Sequence, residues 1–250
     1  LFNIIINMGA VPVKWSNALC VMIYKKGSIF EFNNYRPISL TNTIGKIFIE
    51  LIRRQFFQSI NDNLSEMQAG FRRGRGTIDN IFFLVQTLLS RSNKGEKTYT
   101  AFLDTSRAYD IVWRNGLWRK LFDLGIKGKL LTTLHQFYAR GKTKIISRQN
   151  TSNNFISSLG LKQGCLLSPD LYAIFINGLF LELKKTGKGI DVCGETVPAL
   201  MYADDLAILA SNAYDLQFML DVASEYAHKW RFRFNPKEGK SEIIILNIQF

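Results

Sequence analysis

The chain has 250 residues, 47% of them hydrophobic and without a low-complexity tract, enough to bury a substantial core in one or two subdomains. No apolar run reaches the roughly 18 residues of a membrane-spanning helix, and no secretory leader opens the sequence. The net charge of +12 is uneven: residues 1–150 hold 23 Lys/Arg against 9 Asp/Glu, and residues 151–250 hold 9 against 11, which suits a polyanionic partner held beside a more acidic part.

The opening Leu1-Phe2-Asn3-Ile4-Ile5-Ile6 reads as the middle of an element, so the chain reads as a piece of a longer polyprotein. Leu19 to Tyr24 form an apolar strand running into the basic turn Lys25-Lys26-Gly27. Arg36 precedes Pro37, which favours extended backbone there and leaves its guanidinium free to reach out, though by itself it reads more simply as a surface arginine in a loop. Ile44, Ile47, Phe48, Leu51 and Ile52 recur at helical spacing behind an Asn42 or Thr43 cap, and predict a buried stripe. Gln68 to Asp79 set Arg72, Arg73 and Arg75 among three glycines, a basic loop able to grip phosphate oxygens, with a solvated loop as the alternative. A helix capped by Thr77 follows, with Ile78, Ile81, Phe82, Val85, Leu88 and Leu89 expected inside. Residues 92–97 form a polar turn and mark a boundary.

Thr98 to Asp104 alternate as a strand that ends in a carboxylate. Residues 115–140 give two helical patterns broken near Gly125 and Gly128, with His135 in the second as a packed or surface residue. Residues 143–148 and 154–159 read as a strand pair. Gly160 to Pro169 form a glycine-punctuated loop that opens a helix capped by Ser168. Ile190–Cys193 and Val197–Tyr202 flank Gly194-Glu195 as a hairpin, and Asp204-Asp205 form the tip of the next. Two adjacent carboxylates repel each other, and a divalent cation is the usual remedy; a solvated turn rich in Asp is the plainer alternative. Leu216 to Trp230 mark an amphipathic helix, and strands around Phe232–Phe234 and Glu242–Ile248 close the chain. Cys20, Cys165 and Cys193 are few, odd in number and far apart, which fits neither a zinc site nor a disulfide framework and suggests a reducing compartment.

Three motifs in this order carry a resemblance. Phe102-Leu103-Asp104 with Ala108-Tyr109-Asp110, Gln163-Gly164 with Ser168-Pro169, and Tyr202-Ala203-Asp204-Asp205 resemble the catalytic motifs of reverse transcriptases, most closely those of non-LTR (LINE-like) retrotransposons. Asn34 to Leu40 and the Gln-x-Gly-Phe-Arg pattern at Gln68 to Arg72 resemble the fingers blocks of that family. The resemblance runs from about Trp15 to Ser241, with Thr105 and Leu166 as departures from the usual pattern. It implies an α+β fold: a right-hand polymerase palm at residues 98–250, an antiparallel sheet with helices on one face, plus a mixed α/β fingers subdomain at residues 1–97. A thumb and an endonuclease domain are expected to be missing.

The resemblance further implies an RNA-directed DNA polymerase that extends a DNA primer on an RNA template with dNTPs. Two Mg²⁺ ions about 3.5–4 Å apart, replaceable by Mn²⁺, would activate the attacking oxygen and neutralise the leaving group. Asp104 and Asp204 are the expected ligands, with Asp205 assisting. Tyr109 resembles a steric gate against the ribose 2′-OH, Gln163 and Gly164 are expected at the template and incoming base, and Arg36, Arg72 and Arg75 at template or triphosphate. Lys240, with Lys237 as the alternative, is expected near the leaving phosphate. As a retrotransposon ribonucleoprotein the chain is expected inside the cell, in cytoplasm and nucleus. The competing readings are a degenerate polymerase-like domain that binds RNA without catalysis and a group II intron-type enzyme.

Overall fold

A computed structural model describes residues 1–147, 150–237 and 239–246. The chain divides into two compact units, each built from two separate stretches: residues 1–62 with 112–171, and residues 63–111 with 172–250. This division by contact differs from the boundary expected at residue 97. Among the described residues no helix is long and apolar enough to cross a membrane.

The first unit begins with two short helices, α1 (Phe2–Met8) and α2 (Val13–Ser16), followed by the strands β1 (Ala18–Tyr24) and β2 (Tyr35–Thr41). Helix α3 (Thr43–Asn63) starts where the Asn42 side chain accepts hydrogen bonds from the amides of Ile44 (2.9 Å) and Gly45 (3.2 Å), the cap anticipated from sequence. Its buried face is turned from the expected stripe. Phe48, Ile49, Ile52, Phe56 and Ile60 are buried, whereas Ile44, Ile47 and Leu51 are exposed. Each large apolar side chain sealed in this way contributes about 1.5–3 kcal/mol.

The next element, α4 (Thr77–Asn93), belongs to the second unit and is turned further, with Leu88 and Leu89 of its expected stripe half-buried. Ile78, Ile81, Phe82 and Val85 are exposed, while Phe83 and Leu84 pack on the core and Thr87 and Arg91 are buried. Polar contacts set this orientation: Asn80 Nδ2 donates to Met201 O at 3.0 Å, and the Arg91 guanidinium donates to Thr98 Oγ1 and Lys97 O, both at 2.9 Å. The helix cap is Gly76 rather than Thr77; Asp79 accepts the Gly76 amide at 2.6 Å.

Strand β3 (Thr98–Asp104) is followed by α5 (Arg114–Asp123), α6 (Gly128–Ala139), β4 (Lys142–Ser147), β5 (Asn150–Thr151) and β6 (Phe155–Ile156). The first unit's sheet runs β2-β1-β4-β5, with β6 also on β4; β1 pairs with β2 antiparallel and with β4 parallel. Segments from both sides of residue 97 therefore share one sheet. The expected strand pair at 143–148 and 154–159 is shorter than its pattern, and Arg148 lies outside the described residues.

Helix α7 (Ser168–Lys185) leads to the hairpin β7 (Ile190–Val192) and β8 (Glu195–Val197), then β9 (Ala199–Tyr202), β10 (Asp205–Ala210), α8 (Ala213–Lys229) and β11 (Glu242–Leu246). The second unit's sheet is wholly antiparallel, in the order β11-β3-β10-β9. Its core joins Ile190, Val197, Leu200, Ala207 and Leu209 with Met67, Phe83, Leu84, Phe102 and Val192. The α+β class expected from sequence is what the chain forms. Near Phe234 only an isolated bridge to Thr105 forms, and the expected reach of the last strand to Ile248 lies outside the described residues.

Candidate active site

The β3–β10 register sets Asp205 directly opposite Asp104, at the same end of the sheet. The turn between β9 and β10 holds only Ala203 and Asp204, and Asp205 pairs back to Tyr202. Ala203 sits at φ +58, a left-handed value that a non-glycine residue keeps only when its surroundings impose it. A neighbour does so. Met67 O accepts the Met201 amide and the Ala69 amide donates to Met201 O, both at 3.0 Å, so residues 67–69 meet β9 through an isolated parallel bridge at Gln68. At Gly70 a Cβ would lie 2.1 Å from Ala203 N, so only glycine allows that approach.

Asp104 and Asp205 thus lie at one end of the sheet, with Asp204 in the adjoining turn. Partial burial pushes the Asp205 carboxyl above its usual range, and the charges of Asp204 and Asp104 push it further, against a smaller opposing pull from Lys240. Lys240 Nζ lies 3.4 Å from Asp104 Oδ1, Asn235 Nδ2 donates to Asp104 Oδ2 at 3.1 Å, and the Asn235 amide donates to Asp104 O at 2.8 Å. The Asp104 amide donates to Ser241 Oγ at 3.3 Å. The segment after α8 therefore holds Asp104 by both backbone and carboxylate. Asn235 and Ser241 were missed by sequence reasoning; the Asn-Pro step and the Ser beside Lys240 were the available signals. Lys237 is exposed, and its amide bonds Asn235 Oδ1 at 3.3 Å.

Among the described residues, no three His, Cys, Asp or Glu side chains form a ready metal cage. The donor chemistry nonetheless suits a hard cation: the carboxylates lie close enough to perturb Asp205, and Mg²⁺ ordinarily takes one or two carboxylates with substrate phosphates completing the shell.

Half-buried Tyr109 lies in the same unit, between two other aromatic rings. It stacks on Tyr172 (5.1 Å, 19°) and meets Phe71 edge-on (6.4 Å, 89°). Arg72 and Arg75 serve their own loop. Arg72 donates to Ser65 O (2.8 Å) and approaches Glu66 (3.4 Å), and Arg75 donates to Glu66 O (2.6 Å) and to its carboxylate, which it holds below the usual range.

Arg36, Gln163 and Gly164 belong to the first unit. The Ser39 amide donates to Gln163 O at 2.7 Å, and a Cβ on Gly164 (φ +105) would lie 2.8 Å from Ser39 O, so this loop is fastened to β2, the strand that carries exposed Arg36. Behind the loop, Lys162 donates to Ser16 O, and Arg114 donates to Gly160 O (2.7 Å), Leu159 O (3.0 Å), Ser157 O and Tyr138 O (3.3 Å).

An acidic strand end on a four-stranded antiparallel sheet, with a tight Ala203-Asp204 turn, defines the palm type of α+β fold. The chain belongs to the reverse transcriptase (RNA-dependent DNA polymerase) family, whose sequence profile matches residues 23–249. It is 28% identical over 247 residues to the RNA-directed DNA polymerase from mobile element jockey of Drosophila melanogaster, covering 95% of this chain and 26% of that protein. The Drosophila funebris jockey polymerase is 31% identical over 244 residues, covering 94% and 26%. The Pol polyprotein of the type-1 retrotransposable element R2 from Popillia japonica is 27% identical, covering 93% and 33%. The chain thus spans about a quarter to a third of these relatives. Among solved structures, apo telomerase from Candida tropicalis truncated from its C-terminal domain superposes with a TM-score of 0.68 at 15% identity, over 96% of this chain and 52% of that one. That likeness identifies the right-hand polymerase fold.

Proposed function

We propose that the chain is the polymerising core of a non-LTR retrotransposon reverse transcriptase, extending a DNA primer on an RNA template with dNTPs. The observation that carries this reading is the register of Asp104 against Asp205, with Asp204 in the adjoining turn. Asp104 and Asp204, assisted by Asp205, would hold two Mg²⁺ ions, with Mn²⁺ as a substitute. When bound, the metals supply charge neutralisation and an activated 3′-oxygen for phosphoryl transfer. The chain's own part is positional. Asn235 and Ser241 hold Asp104, Gly70 packs against the Ala203 backbone of the turn that carries Asp204, and Lys240, beside Asp104, is proposed to meet a departing phosphate.

Tyr109 is proposed as the gate against ribonucleotides. Arg36, Gln163 and Gly164 are proposed as template or nucleotide contacts, and Arg72 and Arg75 take that role by exchanging Glu66 for phosphate. Residues 1–97 and 98–250 correspond in this reading to fingers and palm, and the molecule works inside the cell as a ribonucleoprotein.

The test is primer extension on poly(rA)–oligo(dT) with dTTP and Mg²⁺. Extension by the parent chain, abolished by Asp104→Ala or Asp204→Ala, is the expected result. Extension that survives either substitution overturns the metal assignment. Salt-sensitive RNA binding without extension would favour a binding module.

A further inference from the structure

Tyr109 is not a solitary ring. On one side Tyr172, 1% exposed on α7, lies nearly parallel to it at 5.1 Å. On the other, Phe71 stands perpendicular at 6.4 Å, is 51% exposed, and holds a backbone φ of +60. A left-handed phenylalanine is costly and persists only where the surroundings fix it; here the adjacent Gly70 is pressed against the Ala203 backbone. The same contact therefore places Phe71 and the turn that carries Asp204. Tyr172 supplies a second, independent oddity. Its hydroxyl is buried beside Thr105 but outside hydrogen-bonding geometry, in the field of Asp204 and Asp205. A phenylalanine would fill that space without an orphaned polar atom.

We propose that Phe71, Tyr109 and Tyr172 act as one aromatic unit in choosing the sugar of the incoming nucleotide, with Phe71 as a further specificity residue and Tyr172 as a positioning residue for the Tyr109 ring. The inference rests on the polymerase reading and deepens it. A single ring at the site mouth can rotate away from a 2′-hydroxyl. A ring stacked from below and braced edge-on from the side cannot move without breaking both contacts. Discrimination thus resides in the pile, and Tyr109 is its contacting member.

The experiment measures kcat/KM for dTTP and UTP on the same primer–template with the parent chain and four variants. Tyr109→Ala reports on the gate itself. Tyr172→Leu removes the stack, Tyr172→Phe keeps the ring and deletes the hydroxyl, and Phe71→Leu removes the edge contact. The expected result is a dTTP:UTP preference reduced at least about fivefold in Tyr172→Leu and in Phe71→Leu, and kept within about twofold in Tyr172→Phe. A purely structural role for Tyr172 would lower both substrates equally and leave the ratio unmoved. If Tyr109→Ala changes the ratio while Tyr172→Leu and Phe71→Leu do not, the aromatic-unit inference falls and the gate stands. If Tyr109→Ala leaves the ratio unchanged, or the parent does not extend the primer at all, the underlying reading falls and takes this one with it. Loss of preference in Tyr172→Phe assigns the effect to the hydroxyl and overturns the stacking argument.

Discussion

Lys162 and Arg114 are each 8% exposed, and among the described residues no carboxylate forms an ion pair with either. Arg114 spreads its charge over four backbone carbonyls and the face of Tyr138 at 5.1 Å, an arrangement available to a planar group with five donors. Lys162 has one carbonyl and the rings of Phe137 (4.7 Å) and Tyr138 (5.7 Å). Burial, opposed by Cys165 and helped by the nearby Arg114 charge, lowers its pKa from 10.5 to about 8. Between about pH 8 and 10.5 the unfolded chain therefore binds more protons than the folded one, so this group makes stability rise with pH across that window; below it the penalty for the buried charge is constant. Urea denaturation at pH 7, 8, 9 and 10 should show the parent gaining on Lys162→Met by up to about 1.4 kcal/mol per pH unit, and parallel curves would refute the assignment. At the site, the Lys240–Asp104 contact is partly exposed and long, so Lys240→Met should change stability by less than about 1 kcal/mol. The same substitution should lower kcat by about a hundredfold if Lys240 serves the leaving group. A large stability loss without a kcat change would make it a structural cation instead.

The positions of the strands that carry the candidate site aspartates were readable from their residues. Strand β3 ends on Asp104 because Thr98 to Leu103 alternate, and the second hairpin follows from two apolar runs around Ala203-Asp204. The orientation of α4 was not readable. Ile78, Ile81, Phe82 and Val85 make the more apolar stripe, yet the helix buries Thr87 and Arg91. What outweighs the stripe is a set of partners distant in sequence, the Met201 carbonyl for Asn80 and the Thr98 hydroxyl for Arg91, and no local pattern encodes those. The bridge of residues 67–69 to β9 was hidden for the same reason: Met-Gln-Ala-Gly has no strand signature, and its partner is Met201. Gly70→Ala tests that contact. With a Cβ 2.1 Å from Ala203 N, the turn must shift or the bridge break, and a loss of about 2–4 kcal/mol in urea denaturation is expected, together with loss of primer extension. An alanine variant of parent stability and activity would show that the docking of this loop does not set the site.

At the scale of the molecule, charge is the property most easily read from composition and most easily tested. With +12 overall and 23 cations among residues 1–150, binding to a single-stranded RNA should weaken at least about tenfold between 50 and 200 mM salt; a flat response would mean that the basic residues do not meet phosphates. Connectivity has a different consequence. Each compact unit is assembled from two stretches of chain, and the chain passes between the units three times. During synthesis the first unit waits for residue 171. Strand β3 leaves the ribosome about a hundred residues before its sheet partner β10 and about 140 before β11, so the Asp104 strand spends the first interval with two open edges. The strand that carries Asp104 is thus the part of this sheet whose hydrogen-bonding edges stay open longest while the chain is made.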